Sequence, residues 1–387
     1  MTTDYLRIGI AGDMVFPFPT TQPYRDEAVG RLFRQNDFTV FNLEAPLAPK
    51  GTPPYPKVGL HLQQEESALR AFLETGDFQL ALLANNHITD YGKAGIRATQ
   101  RILQQHEVNC IGADPECVAY KPFLLKLKGV KLAFFALGEA QFGAAKAEKW
   151  GYNWVFAPEV QHAITQASRS ADLTIVCVHA GLEGEPLPLP EWREAYRQLI
   201  DKGADAVIGT HPHRIQGKEL YRGCPIYYSL GNTFFPLDSS APDYWHHSLF
   251  LQLKINTKTH ELRVEEHFLE MRNEQLHLGN AEDSFQQYTS WLADDSTYQQ
   301  KIEGICQRHW EAYYEDFLAY PKIKMQPLPD ESGFRKRLKK LALPLLKRLE
   351  KRFFVRHEAG TRMLLHVFQT ETHRFVIERA LRNLQRK

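Results

Sequence analysis

Gly203-Ala-Asp-Ala-Val-Ile-Gly-Thr-His211-Pro-His213 leads through Ile215-Gln-Gly-Lys-Glu219 into Pro225-Ile-Tyr-Tyr-Ser229-Leu-Gly-Asn232-Thr-Phe-Phe235. Its two apolar runs, 206–208 and 225–230, read as buried strands. Between them stand two histidines separated by a single residue. In extended chain alternate side chains share a face, so His211 and His213 are expected to point into one space just past a strand end. Open α/β sheets place their ligand sites beyond the carboxyl ends of strands.

The same ending recurs elsewhere. Residues 172–179 are the clearest buried run in the chain and finish in His179-Ala-Gly181. Residues 6–13 run from Leu6 to Gly12-Asp13, and 38–44 run from Phe38 to Asn42-Leu-Glu44. Residues 78–84 lead into Asn85-Asn86-His87-Ile-Thr-Asp90-Tyr-Gly92. Each apolar run therefore ends in a side chain able to hold a metal. Glu44 lies between Leu43 and Ala45-Pro46, and a carboxylate buried there needs a partner. Helical spacing covers 24–34, 65–75 (stopped by Gly76), 92–106, 160–170 and 192–202. A hairpin crosses Lys128-Gly129 between 123–127 and 130–137, and 246–255 with 262–269 alternate as antiparallel strands.

Composition bounds the rest. The 387 residues carry a net charge of +1, with 43% hydrophobic and 24% charged residues, as in an ordinary globular protein. That balance argues against a general nucleic-acid-binding surface. Cys110, Cys117, Cys177, Cys224 and Cys306 are scattered without CxxC spacing and fit a reducing compartment. The chain enters a strand-like run directly after Arg7, without the pattern of a signal peptide, and no apolar run is long enough to span a membrane. The expected location is cytoplasmic, at most peripheral to a membrane.

Strand signals stop after about Asn280, which places a boundary within 274–283 and divides the chain into 1–275 and 284–387. The second part is helix-prone and charged. Within 335–356, Leu338, Leu341, Leu345, Leu349 and Phe353 form a stripe at helical spacing among many Lys and Arg, interrupted by Pro344. The stripe either packs on the main domain or lies on anionic lipid, an acidic polymer or a partner protein.

Taken singly, Asp13 reads as a turn residue, Glu44 as a structural ion pair, Asn86 as a cap and His179 as a core histidine. Together, Asp13, Glu44, Asn86, His87, His179, His211 and His213 suit a pair of divalent metals about 3.5–4 Å apart. Such a pair activates water near neutral pH and clamps a tetrahedral phosphoryl group.

The motifs Gly12-Asp13, Asn42-Leu-Glu44-Ala-Pro46, Leu83-Ala-Asn-Asn-His87-Ile-Thr-Asp90-Tyr-Gly92, His179-Ala-Gly-Leu-Glu183, Gly203 to His213 and Tyr228-Ser-Leu-Gly-Asn232 run in order over about residues 5–240. They resemble the bacterial capsule-synthesis family named for CapA, associated with poly-γ-glutamate and capsule production. That family is similar in turn to calcineurin-like metallophosphoesterases. The resemblance implies an α/β fold: a four-layer, two-sheet sandwich over 1–275 with a C-terminal helical lobe over 284–387. It implies Asp13 and His213 on one metal, Asn86, His179 and His211 on the other, and Glu44 bridging. It also implies one or two divalent ions of Mn, Zn or Fe. His87 would stand beside the substrate and protonate a leaving group or hold an oxyanion; Asp90 would orient His87 or cap a helix; Glu183 would be a supporting acid or a base.

Some positions depart from the phosphoesterase pattern. Val15 stands where those enzymes place a histidine, a residue that the capsule family generally lacks too. Glu44 replaces a bridging aspartate, and Ala180 stands where the capsule family often has Trp. The implied function is a metal-dependent hydrolase, phosphoesterase-like or amide-cleaving, in capsule, poly-γ-glutamate or related surface-polymer biosynthesis. Its substrate would be an anionic polymer or a phosphorylated compound. The alternative is a non-catalytic binding or assembly component that keeps the fold.

Overall fold

The computed structural model describes residues 4–57, 59–145, 149–236, 241–314 and 370–385. Two sheets dominate. The first holds β1 (Tyr5–Met14), β2 (Phe38–Leu43), β3 (Leu80–Leu82) and β4 (Asn109–Ile111), which run parallel from one to the next. On the other side of β1 stands an antiparallel set, β14 (His247–Asn256), β15 (Leu262–Arg272) and β16 (Gln275–Leu278), while β13 (Asn232–Phe234) pairs with β1 in parallel.

The second sheet has the order β11 (Lys218–Tyr221), β12 (Cys224–Tyr227), β10 (Ala206–Thr210), β9 (Leu173–His179), β7 (Val130–Gly138), β6 (Phe123–Leu127). Its central strands are parallel, with the expected β6–β7 hairpin at one edge. A small separate ribbon pairs β5 (Ala113–Asp114) with β8 (Gly151–Tyr152).

Strand alternation explains the layers. On β2, Phe38 faces the second sheet, where it meets Phe123 and Phe134. Phe41, of opposite parity, meets Phe72 on α2 (Glu66–Leu73). The side chains of α1 (Glu27–Arg34), α2 and α3 (Gly92–Gln105) join one core with both sheets. On the second sheet's outer side lies α5 (Pro190–Asp201), with α4 (Pro158–Ala167) just before β9 in the chain. Tyr196 of α5 stacks on Tyr228 and donates its O–H to the Val178 carbonyl. The expected four-layer, two-sheet sandwich is the architecture observed. Sheet order brings the carboxyl ends of β1, β2 and β3 from one sheet to those of β9 and β10 from the other.

Two local expectations need correction. The run 225–230 is not one strand: β12 ends at Tyr227, and Leu230 makes an isolated bridge to Ile215. Nor do His211 and His213 continue β10 in extended chain. The strand ends at Thr210, and both histidines have left-handed backbones, φ 98° and 55°. Their rings converge, with centroids 5.9 Å apart, because the chain turns and not because it alternates.

The chain divides into two compact units, Met1–Pro56 with Leu60–Gln300 and Lys57–Gly59 with Lys301–Lys387. The first includes α6 (Glu282–Ala293), whose Phe285 is buried against Tyr227 and Phe268. Helix α7 (Asp295–His309) runs into a π-helical turn, Trp310–Tyr314, and in the second unit that turn contacts α8 (Glu371–Gln385). The stripe within 335–356 lies outside the described residues. All five cysteines are free thiols, and burial pushes Cys177 up to about 12. Among the described residues no helix is long and apolar enough to cross a membrane.

Candidate metal centre

Asp13 sits one residue from the end of β1 and is fully buried. Gly12 before it has no room for a side chain: a Cβ there would lie 2.1 Å from the Gly231 carbonyl oxygen. Asp13 Oδ1 accepts from Asn42 Nδ2 at 2.7 Å, and Oδ2 accepts the His211 backbone N–H at 3.0 Å. That second bond helps hold His211 in its unusual backbone conformation. The Nδ1 atoms of His179 and His213 each lie 3.6 Å from an Asp13 oxygen. Burial alone would raise the Asp13 carboxyl, but the His179 and His213 rings and the His211 N–H outweigh it and hold it at about 2.

Glu44 follows β2 directly and is also fully buried. Neither of its carboxylate oxygens has a hydrogen-bond partner. Oε1 lies 3.5 Å from His179 Nε2 and 3.6 Å from His213 Nε2. Burial, then the Asp13 charge, pushes its carboxyl well above the usual range despite His213 and His211. A buried carboxylate without donors is costly and is not kept for packing.

The remaining donors gather around the same point. His179 Nε2 lies 3.0 Å from Asn86 Oδ1 and 3.0 Å from His211 Nδ1. On the other side of the ring, His179 Nδ1 is 3.0 Å from Thr210 Oγ1 and 3.3 Å from Asn42 Nδ2. The Nε2 lone pair is thus left for the shared space. Zinc–nitrogen bonds of about 2.0–2.1 Å give a tetrahedron with edges of about 3.4 Å. Separations of 3.0 and 3.5 Å among Asn86, His179, His211 and Glu44 suit that size. Ligand atoms of Glu44, His179 and His211 all fall within 4.8 Å of one another, as do those of Asp13, Glu44 and His213. The orphaned carboxylate and this donor set fit a divalent cation.

The two halves are unequal. His213 Nδ1 donates to Asn232 Oδ1 at 2.9 Å, and the Asn232 amide is oriented by donating to the Trp245 carbonyl at 3.3 Å. His213 packs on the Trp245 ring at 4.7 Å and against the edge of Phe235. Val15 is buried with Ala45 and Phe235 in this apolar patch. Beside His213 this side of the centre is a hydrocarbon wall.

His87 and Asp90 form a pair of their own, one residue beyond Asn86, with Nδ1 2.8 Å from Asp90 Oδ2. The His87 side chain is 13% exposed and that of Asp90 is buried. Asp90 does not cap α3: the cap residue is Tyr91, without a side-chain bond, and Asp90 Oδ2 instead accepts the Leu62 N–H at 2.7 Å. Glu183 is 61% exposed, with Oε1 3.9 Å from His211 Nε2, and its ligand atom groups with those of His211 and His213. Sequence reasoning missed Glu139 and Gln141 around the histidines, and it quoted Thr210 within a motif without giving it a role. It quoted Asn42 and Asn232 within motifs but gave them no role, although their places at strand ends were a usable signal.

The sequence profile of the family described as bacterial capsule synthesis protein PGA_cap matches residues 11–236. The chain belongs to that family. All the residues of the cluster fall inside the match. Among curated relatives, the capsule biosynthesis protein CapA of Bacillus anthracis is 29% identical over 216 residues, 54% of this chain and 52% of that protein. The PGA biosynthesis protein CapA of Bacillus subtilis (strain 168) is 29% identical over 208 residues, 53% and 54% of the two chains. The chain thus spans about half the length of the curated relatives it matches. Among solved structures, a phosphatase of Mycoplasma pneumoniae aligns at 11% identity and TM-score 0.43, covering 69% of this chain and 94% of that one. A 5'-nucleotidase precursor of Thermus thermophilus aligns at 13% identity and TM-score 0.43, covering 75% and 59%.

Proposed function

We propose that this chain is a metal-dependent hydrolase acting in capsule, poly-γ-glutamate or related surface-polymer biosynthesis. The observation that carries the proposal is Glu44, buried without a hydrogen-bond donor amid Asp13, His179, His211 and His213. Asn86, His179, His211 and Glu44 would hold Mn, Zn or Fe most firmly, with Asp13 and His213 forming a weaker second position. The bound ion supplies Lewis-acid polarisation of a phosphoryl or amide oxygen and neutralises developing charge. Asp90 accepts at His87 Nδ1, and the ring so oriented would donate a proton to a leaving group or hold an oxyanion. Glu183, exposed beside His211, would act as a supporting acid or base.

A second reading is favoured by Val15 and its apolar surroundings: a binding or assembly component whose metal centre is structural. The deciding experiment loads chelator-stripped protein with Mn, Zn or Fe and measures metal by elemental analysis. Turnover on phosphate esters and γ-glutamyl amides is followed in parallel. Stoichiometry near zero for all three metals sinks both readings; bound metal without turnover, together with polymer binding, favours the second.

The natural partners on this reading are an anionic polymer or a phosphorylated substrate, met in the cytoplasm. The basic run 335–356 is proposed as the contact to an anionic membrane surface or partner protein. Cosedimentation with phosphatidylserine vesicles that weakens as salt rises supports that contact, and its absence at low salt refutes it.

A further inference from the structure

We propose that Glu139 is a positioning residue that turns His211 so that its Nδ1 atom faces the metal. The inference rests on the metal reading given above. Glu139 is the first residue past β7, and its side chain is buried at 1% exposure. The residue is pinned through its main chain. Its N–H donates to the His179 carbonyl at 3.0 Å, and its own carbonyl accepts the Tyr152 O–H at 2.8 Å. Its Oε1 lies 3.1 Å from His211 Nε2 and accepts from Gln141 Nε2 at 2.9 Å. Gln141 Nε2 and His211 Nε2 are 3.2 Å apart, as expected of two donors converging on one oxygen.

The opposite nitrogen of that ring, Nδ1, faces His179 Nε2 at 3.0 Å. The two nitrogens are therefore divided, one toward Glu139 and one toward Asn86, His179 and Glu44. A neutral imidazole that binds metal through one nitrogen carries its proton on the other, and a buried N–H needs an acceptor. Oε1 of Glu139 is that acceptor. The backbone of His211, at φ 98°, belongs to no regular element that would fix the ring's direction. A contact on the far side of the imidazole does so instead. Glu139 touches no position assigned to substrate; it acts through His211.

The test uses the full-length chain stripped of metal. Calorimetric titration with Mn²⁺ compares wild type, Glu139→Gln and Glu139→Ala. Loss of such a supporting partner costs about 10–100-fold in metal affinity, and that is the fall expected for Glu139→Ala. Glu139→Gln keeps an oxygen for the Nε2 proton and should recover most of the affinity. Glu139→Met fills similar space without an acceptor: a purely packing role predicts that it too recovers affinity, whereas the positioning role predicts that it falls as Glu139→Ala does. The independent readout is the ¹⁵N spectrum of the histidine rings in metal-free protein, with His211 assigned by its absence in His211→Gln. Wild type should show the proton on Nε2, and Glu139→Ala a mixture of the two ring forms. If Glu139→Ala fails to fold, Glu139→Asp, whose shorter side chain withdraws the oxygen, should reproduce both effects. Unchanged affinity with an unchanged ring form in the variant, or a metal-loaded crystal structure with His211 ligating through Nε2, overturns the inference. A wild-type chain that binds no metal sinks the metal reading separately, and the ring form then decides the role of Glu139 alone.

Discussion

Replacing Glu44 by Gln should act in opposite directions with and without metal. In the metal-free protein the carboxyl is buried, without a donor, and pushed well above its ordinary value of 4.5, so the folded chain favours its neutral form. The unfolded chain ionises it freely. Each pH unit over which the folded carboxyl stays neutral while the unfolded one is charged costs about 1.4 kcal/mol. Metal-free wild type should therefore lose stability as pH rises above about 4.5. Asp13 has the opposite sign: held at about 2, below its ordinary 3.8, it stabilises the fold above that ordinary value and is lost as pH falls toward 2. The Gln variant keeps the acid limb and loses the other. Its amide N–H can donate to His179 Nε2 or His213 Nε2, which lie 3.5 and 3.6 Å from Glu44 Oε1.

The gain at pH 7 should be about 1–3 kcal/mol, the usual cost of a buried unsatisfied group. For a protein of this size that is about 1–4 °C in Tm. With metal the order reverses. A ligand present at a hundredfold excess over its Kd adds about 2.7 kcal/mol to wild type. The variant, without its bridging charge, should gain little at the same concentration. Differential scanning calorimetry of both proteins, chelated and metal-loaded, at pH 5 and pH 7, reads all four states. A metal-free Glu44→Gln protein that melts below wild type, or gains as much from metal as wild type does, refutes the reasoning.

Other expectations follow from the same geometry. His87→Asn should keep metal content and Tm while turnover falls by about 10²–10³-fold; normal polymer yield from cells carrying only this variant would count against catalysis. His179→Ala and His211→Ala should lower metal stoichiometry more than Asp13→Ala, as measured by elemental analysis after dialysis. His211 needs to be neutral to bind metal; burial and His179 lower its pKa but Glu139 outweighs them and holds it above 6.5, so affinity should begin to fall at a higher pH than for an ordinary imidazole. Phe285→Ala should cost about 3–5 kcal/mol by chemical denaturation, because the ring is buried against Tyr227 and Phe268.

Much of the site was legible because strands end abruptly in polar residues. Asp13, Glu44 and His179 each close an apolar run, and that pattern survives without knowing which strands are neighbours. The two sheets and the β6–β7 hairpin were readable from the same runs. What was hidden depends on contacts between distant segments. Glu139 closes β7 as a lone acid after Gly138, and nothing near it in the chain announces His211. Asn42 and Asn232 serve as inner rungs of a hydrogen-bonded frame, a task their residue type shares with any turn. The left-handed turns at His211 and His213 were misread as extended chain because non-glycine residues rarely take that conformation without support from elsewhere. Strands of three or four residues such as β4, β13 and β16 are too short for a period to show.

The asymmetry of the centre is what ties the fold to the choice of function. The His179 ring is aimed by its contacts with Thr210 and Asn42, and the His211 ring by Glu139, which accepts from its far nitrogen. His213 is aimed by Asn232 in the same way, but its ring leans on Trp245 and Phe235, with Val15 beside them. A single firmly held ion can polarise an oxygen, whereas clamping a phosphoryl group from both sides needs two. Occupancy of the Asp13–His213 position therefore separates the readings more sharply than any single rate. If it fills only at high metal concentration, amide or ester cleavage assisted by one ion, with His87 as proton donor, is the chemistry these residues favour. If substrate itself completes that position by offering an anionic oxygen, the hydrocarbon wall ceases to be a defect. It becomes the surface that leaves a coordination place open for the substrate.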